Sequence, residues 1–309
     1  MSSTKRIKTG LIRFDEMIGG GILEGSRIEI YGREDCGKST FALEVSKAFK
    51  KPYMIDFEHK MSEEYAQIIN PELSEKKGNL LRGNTLEESL DTFLGEFEDI
   101  LKKNIARKKK KEKEVQNFDL LIIDTIGSAS TLELIESKLS DKKRVGSLAR
   151  AVTDFLRNKA EKILTPYGCT TLMLNHKKPT IGAKPFEEQS YTPGGIHLSY
   201  SAQIRIAMGR KANRIYEDGI TASFWQKKNH TTMTETPKNC EYIIRRGHGI
   251  VRGFESLLIG IENGIIKEEG TSYVIGDEKF RGQKAIADFL NETPELQKAI
   301  YEAHQNNQG

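Results

Sequence analysis

Nine residues constrain this chain more than any others: Gly32-Arg33-Glu34-Asp35-Cys36-Gly37-Lys38-Ser39-Thr40. They follow the apolar run Arg27-Ile28-Glu29-Ile30-Tyr31 and open a helix-compatible stretch through Phe49. The pattern G-x-x-x-x-G-K-[ST] is a Walker A phosphate loop. Its glycines let the backbone turn tightly, so that successive N–H groups face a polyphosphate. Lys38 then reaches the β- and γ-phosphates, and Ser39 offers a hydroxyl to Mg²⁺. A helix beginning near Lys38 adds the positive end of its dipole. The same terminus favours a thiolate at Cys36, although a variable loop position that holds cysteine is the plainer reading.

A strand, a phosphate loop and a helix in that order imply an α/β fold with a buried, mostly parallel sheet. Two further runs fit such strands: Tyr53-Met54-Ile55-Asp56, after Pro52, and Phe118-Asp119-Leu120-Leu121-Ile122-Ile123-Asp124-Thr125. Cys169 to Asn175 supplies another, and shorter candidates lie at Gln203 to Met208, Ala222 to Gln226 and Tyr242 to Arg245. Helices are expected over Ser62 to Ile69, over Leu86 to Lys103 with apolar residues at three- and four-residue steps, and over Leu148 to Leu164. Residues 1–26 read as a short glycine-rich lead-in, 27–259 as the core and 260–309 as a small α-rich C-terminal domain. In the last of these Thr293-Pro294-Glu295 marks a helix start.

Charge is local. Residues 102–114 hold eight cations and two anions, a net of +6, which leaves the remainder at −2 of a formal total of +4. A uniformly cationic coat is therefore excluded, and the lysine run reads as a solvated helix end or a mobile loop, with a DNA-touching tail as the sharper alternative. The three cysteines, Cys36, Cys169 and Cys240, lack metal-type spacing. No apolar run approaches membrane-spanning length and the first residues carry no signal-peptide core, so a cytoplasmic protein with no membrane partner is expected.

Asp124 ends an apolar strand, where a carboxylate can hold the hydration shell of a Mg²⁺ bound to Ser39. Glu58, just past the second strand, is placed to activate water, because parallel strands deliver their carboxyl ends to one crevice. Spacing alone leaves it open between a general base and a surface loop acid.

The segments Gly32 to Thr40, Ile55-Asp56-Phe57-Glu58-His59, Leu121-Ile122-Ile123-Asp124, Leu174-Asn175-His176 and Thr192-Pro193-Gly194-Gly195 occur in the order and near the spacing of bacterial RecA and RecA-like phage recombinases. The chain resembles that family from about Thr9 to about Ala303. The resemblance implies a RecA-type P-loop core that binds ATP and Mg²⁺, assembles as a filament on single-stranded DNA, and pairs it with duplex DNA in strand exchange. It implies Glu58 as the catalytic glutamate and Tyr65 as the ring stacked on adenine. Residues 128–145 then match the first DNA-binding loop and 177–193 the second. Lys177, Lys178, Lys184 and Phe186 suit the second loop's phosphates and bases. Arg150 and Arg157 match two family arginines on a helix face, and Gly194 and Gly195 end the second loop.

His176 stands where RecA has the glutamine that senses the γ-phosphate, in the form found in some phage recombinases. Lys227 and Lys228 fall where the family places cations that reach ATP across the protomer interface, with Gln226 competing for one of the two places. Before Thr9 the chain is too short for the helix and strand by which RecA docks on its neighbour, and the lysine run looks like an insertion. A RecA paralogue that binds ATP and DNA, or another recombinase, without forming a filament is the alternative.

Overall fold

The computed structural model describes residues 5–137, 146–180, 190–213 and 215–308. The lead-in forms β1 (Arg6–Ile7), α1 (Ile12–Met17) and β2 (Ile22–Leu23), and β1 pairs antiparallel with β2. The phosphate loop joins β3 (Arg27–Gly32) to α2 (Lys38–Ser46). Then come β4 (Pro52–Asp56), α3 (Glu63–Ile69), β5 (Leu80–Arg82), α4 (Leu86–Lys109), β6 (Leu120–Asp124), α5 (Leu132–Glu136) and α6 (Ser147–Asp154). The last of these continues as a π-helix over Phe155–Leu164. β7 (Thr170–His176), the short pair β8 (Lys178–Pro179) and β9 (Ser190–Tyr191), α7 (Ile196–Ser201), β10 (Ile204–Ala212), β11 (Gly219–Asn229), β12 (Asn239–Arg245) and β13 (Gly249–Ile250) complete the core.

One nine-stranded sheet carries the core, in the order β13-β12-β11-β10-β3-β7-β6-β4-β5. From β10 to β5 the neighbours run parallel, while β11, β12 and β13 add an antiparallel wing. Side chains along a strand point to alternate faces, and both faces are apolar here. Met54, Leu120, Ile122, Leu172 and Leu174 pack with Phe41 and Val45 of α2 on one side. Tyr53, Ile55, Leu121, Ile123 and Met173 pack with Phe93 and Phe97 of α4 and Leu156 on the other. Burial on both faces is why the parallel strands read as unbroken apolar runs.

The lead-in belongs to the first of these layers, since Leu11, Phe14, Met17 and Ile18 are buried in it. The C-terminal unit consists of α8 (Arg252–Glu262), the antiparallel meander β14 (Ile266–Glu269), β15 (Ser272–Ile275) and β16 (Glu278–Arg281), and helices α9 (Gln283–Glu292) and α10 (Pro294–Gln308). Its apolar cluster already includes Leu257 and Ile259, so α8 runs across the division expected between 259 and 260.

The long helix α4 is fixed at both ends. Thr85 caps it, accepting from Glu88 N at 3.2 Å while its hydroxyl donates to Glu88 Oε2 at 3.0 Å. At the far end the helix continues six residues beyond Lys103 into the lysine run, and Lys111 takes a left-handed φ of 58°. Asn104 then ties the returning chain, exchanging two 2.8 Å hydrogen bonds with Val115. The run is thus an exposed helix end with a pinned return. Thr85→Ala removes the cap and should cost about 1 kcal/mol, read as a lowered midpoint in urea denaturation with an unchanged slope.

Candidate nucleotide site

Register sets the site. In adjacent strands Gly32 pairs with His176, and Asp56 pairs with Asp124. Four carboxyl ends therefore open on one edge of the sheet, under a cleft of about 460 Å³ lined by Lys38, Ser39, Glu58, Tyr65, Asp124 and His176 among others. The loop's backbone is shaped for an anion: Asp35 and Gly37 take φ of 55° and 89°, a conformation that turns successive N–H groups inward. Glycine at 32 has a different cause. A Cβ there would lie 2.3 Å from Met208 O, so the loop can leave β3 against β10 only without a side chain. Lys38 is buried and donates to Arg33 O at 2.9 Å.

Asp124 is 2% exposed, and its Oδ1 has no hydrogen-bond partner among the described residues. Burial pushes its carboxyl up to about 7; a hydrogen bond with Ser39 opposes this, Glu58 and Asp56 add to it, and Lys38 opposes it. A buried carboxylate oxygen without a partner, beside a serine hydroxyl, is the donor set of a hard divalent cation. Ser39 and Asp124 thus fit Mg²⁺.

Glu58 is held on three sides. Its Oε1 lies 2.7 Å from His176 Nε2 and accepts from Thr125 Oγ1 at 3.2 Å, and Oε2 is 3.5 Å from Lys60 Nζ. The turn beneath it depends on Asp56, whose Oδ1 accepts from Glu58 N at 2.9 Å and His59 N at 3.0 Å. Arg82 of β5 pairs with the other oxygen of Asp56. Lys60 also pairs with Glu34 of the phosphate loop. Tyr65 is pinned to α2 by a 2.7 Å hydrogen bond between its hydroxyl and Thr40 Oγ1. The opposite wall comes from β10, with Arg210, and from the ends of the antiparallel wing, with Asp218, Arg245 and Arg246. Cys36 does not behave as an activated thiol: burial pushes it up, with Lys38 opposing.

An AAA domain family matches residues 24–158. Protein RecA of Frankia alni is 30% identical over 310 residues, covering 95% of this chain and 81% of that protein. The chain belongs to the RecA family. Protein RecA of Rubrobacter xylanophilus is 29% identical over 95% of this chain and 81% of its own length, and that of Salinispora arenicola 28% over 97% and 83%. The core of this RecA-family protein is thus a nucleotide-hydrolysing ATPase.

Of the remaining expected residues of this RecA-family chain, those that are described do not line the cleft. Lys184 and Phe186, and 138–145 of the first expected loop, fall outside the described residues. Lys177 and Lys178 are exposed just past His176. Gly194 and Gly195 have φ of 97° and 80°, and a Cβ on Gly195 would lie 2.8 Å from Ala149 Cβ, so this pair packs the loop's return against α6. Arg150 is exposed and ion-paired with Glu133 at 2.7 Å. Arg157 is also exposed, but it sits within the π-helix. That winding has i→i+5 bonds, so seven residues no longer make two full turns, and the two arginines are offset around the axis from the alignment expected of an α-helix.

Lys227 and Lys228 lie at the opposite end of the sheet from the phosphate loop, with Lys228 beside Arg205. Lys227 is the extra residue of a bulge between Lys228 and Gln226, and it is exposed. Lys228 instead donates to the carbonyls of Ser199 and Tyr200 at the end of α7, at 3.0 and 2.9 Å.

Three site residues had no distinct signal in the sequence. Asp56 read as a strand end within the segment Ile55 to His59, Thr125 as the last residue of an apolar run, and Arg82 carried no reading; Thr125 and Arg82 act on Glu58 and Asp56, 67 and 26 residues away, while Asp56 acts on the turn that follows it. The raised Asp124 carboxyl has a sign that can be tested. Below pH 7 a proton competes with the cation, so Mg²⁺-dependent affinity for a fluorescent ATP analogue should fall from pH 8 to pH 6, by up to about tenfold per unit below 7. An ionised, unpaired Asp124 costs stability as pH rises from the ordinary carboxylate range through 7. Asp124→Asn should therefore raise the melting temperature of the nucleotide-free protein at pH 8 while abolishing the Mg²⁺ dependence.

Proposed function

We propose that this chain is a DNA-dependent ATPase that binds single-stranded DNA in its ATP state, assembles on it as a filament, and carries out homologous pairing and strand exchange. The observation that carries this reading is the end of β7. There His176 faces Glu58 at 2.7 Å, and Asn175, the residue before it, donates to Pro193 O at 2.8 Å. One strand end thus touches both the hydrolytic carboxylate and the returning leg of the second loop. A γ-phosphate that draws on His176 is felt at Pro193 through a single residue.

Lys38 and the loop N–H groups bind the phosphates of ATP, and the ring of Tyr65 takes the adenine. Ser39 and Asp124 hold Mg²⁺, which when bound neutralises charge developing on the phosphate oxygens. Glu58 accepts the proton of the attacking water, with Thr125 and His176 fixing its orientation. Lys227 is the better candidate for a cation given to the neighbouring protomer's ATP, because Lys228 is occupied at α7. Hydrolysis would then depend on assembly.

Lys177, Lys178, Lys184, Arg150 and Arg157 track the DNA backbone, with Phe186 against a base. For Arg150 the phosphate must displace Glu133. About five phosphate contacts predict a slope near −3.5 in log affinity against log salt for a single strand. A slope near zero would remove the backbone-tracking role.

A second reading, the paralogue that does not polymerise, is favoured by β1, whose strand pairs within its own chain. Electron microscopy with single-stranded DNA and a non-hydrolysable ATP analogue separates the two, since regular filaments are required by the first and unexpected for the second. Glu58→Gln should lower DNA-stimulated ATP hydrolysis at least about 100-fold and leave analogue-dependent DNA binding intact. A variant that still hydrolyses ATP at the original rate would dismiss Glu58 as the base.

A further inference from the structure

Beneath the second loop lies a charged group with no part in the hydrolytic scheme. Glu29, in the middle of β3, is completely buried. A carboxylate in such a place needs a counter-charge. Arg205 of β10 provides it, with Nε 2.6 Å from Glu29 Oε2, and the strand register sets the two residues side by side. The guanidinium lies over the ring of Tyr31, 4.9 Å from its centroid, and Nη2 reaches Thr192 Oγ1 at 3.4 Å.

The other oxygen of Glu29 faces β7. Glu29 Oε1 accepts from Asn175 Nδ2 at 3.1 Å, and the same nitrogen donates to Pro193 O at 2.8 Å. Asn175 Oδ1 accepts from His176 N at 2.9 Å. Both amide protons and the amide oxygen are thereby engaged, each by a different element.

We propose that Glu29 and Arg205 are positioning residues that hold Asn175 in the one orientation able to link His176 to the second DNA-binding loop. An ion-paired carboxylate only accepts, so the nitrogen of Asn175 must face Glu29 and its oxygen must face His176 N. The chain could not read this orientation from Asn175 itself, whose two ends have nearly the same shape. Arg205 neutralises Glu29 and, through Thr192, grips the residue next to Pro193. The loop's return is held twice, by Pro193 through Asn175 and by Thr192 through Arg205, and both holds converge on Glu29. The inference rests on the reading above, that ATP raises affinity for DNA.

Glu29→Gln tests it with almost no change of volume, because a glutamine can donate as well as accept and carries no charge for Arg205, so the hold of Glu29 on the Asn175 amide is lost and only Pro193 O and His176 N remain. The measurement is the affinity for a labelled single-stranded oligonucleotide with a non-hydrolysable ATP analogue and with ADP, alongside affinity for a fluorescent ATP analogue. The wild type should bind DNA at least about fivefold more tightly with the ATP analogue. Glu29→Gln should keep its nucleotide affinity and lose that ratio, as should Asn175→Ala, and the two together should lose no more than either alone. A merely structural role would weaken DNA binding in both nucleotide states and preserve the ratio, which would overturn the proposal. If Glu29→Gln does not fold, the double variant Glu29→Gln with Arg205→Gln, which leaves no unmatched buried charge, carries the same test. A wild type with equal affinity in both states removes the ATP-dependent reading as well. A switching wild type with an equally switching Glu29→Gln removes only this inference.

Discussion

The parallel register of four strands is the constraint on which the rest depends. Because β3 and β7 end level with each other, and β6 and β4 end together two residues lower in the register, Gly32, His176, Asp124 and Asp56 share one edge although they are spread over 145 residues of chain. The register is itself fixed by burial on both faces, since a slip of one residue would exchange the layer packed on α2 with the layer packed on α4. The apolar strands therefore do more than fill the core. They hold acidic groups where water cannot screen them, which gives Asp124 its raised carboxyl and leaves one oxygen ready for a cation.

The same edge carries the connection to the second loop. Asn175 is buried and His176 half-buried, so the chain passes from sealed to open within one peptide unit. On the sealed side polar groups must be paired to be tolerated, and they are paired into one network of Glu29, Arg205, Asn175 and Pro193. On the open side His176 meets Glu58 and Ser128. A network saturated on one side and exchangeable on the other is suited to relay a change at the phosphate end without disturbing the sheet. The bulge at Lys227 completes the picture from the far end of the sheet. It frees one lysine from the ladder, while Lys228 stays bound to the end of α7.

Much of this was readable in the sequence, and the reasons differ by element. The phosphate loop, the strand ending in Asp124 and the position of Glu58 depend on local spacing, which a chain displays directly. The lead-in's place in the core and the continuation of α4 into the lysine run depend on contacts or on a return such as that of Asn104 to Val115, whereas the Thr85–Glu88 cap of α4 is a local signal that the chain does display. Helix periodicity also misled where the backbone left the α-form. Seven residues between Arg150 and Arg157 imply one face only if every turn has the α pitch, and the π-helix from Phe155 breaks that condition. Glu29 was legible only as one polar residue in an apolar strand; its partner is 176 residues away.

The central claim is that nucleotide state reaches the second loop through β7, and it can be tested without DNA. Hydrogen–deuterium exchange of peptides covering residues 190–196 would be compared in Mg²⁺ with ADP and with a non-hydrolysable ATP analogue. Coupling through Asn175 and Pro193 predicts a reproducible difference in exchange between the two nucleotides over these residues, absent in Asn175→Ala. Identical exchange in both nucleotides, at saturation of the phosphate site, would contradict it.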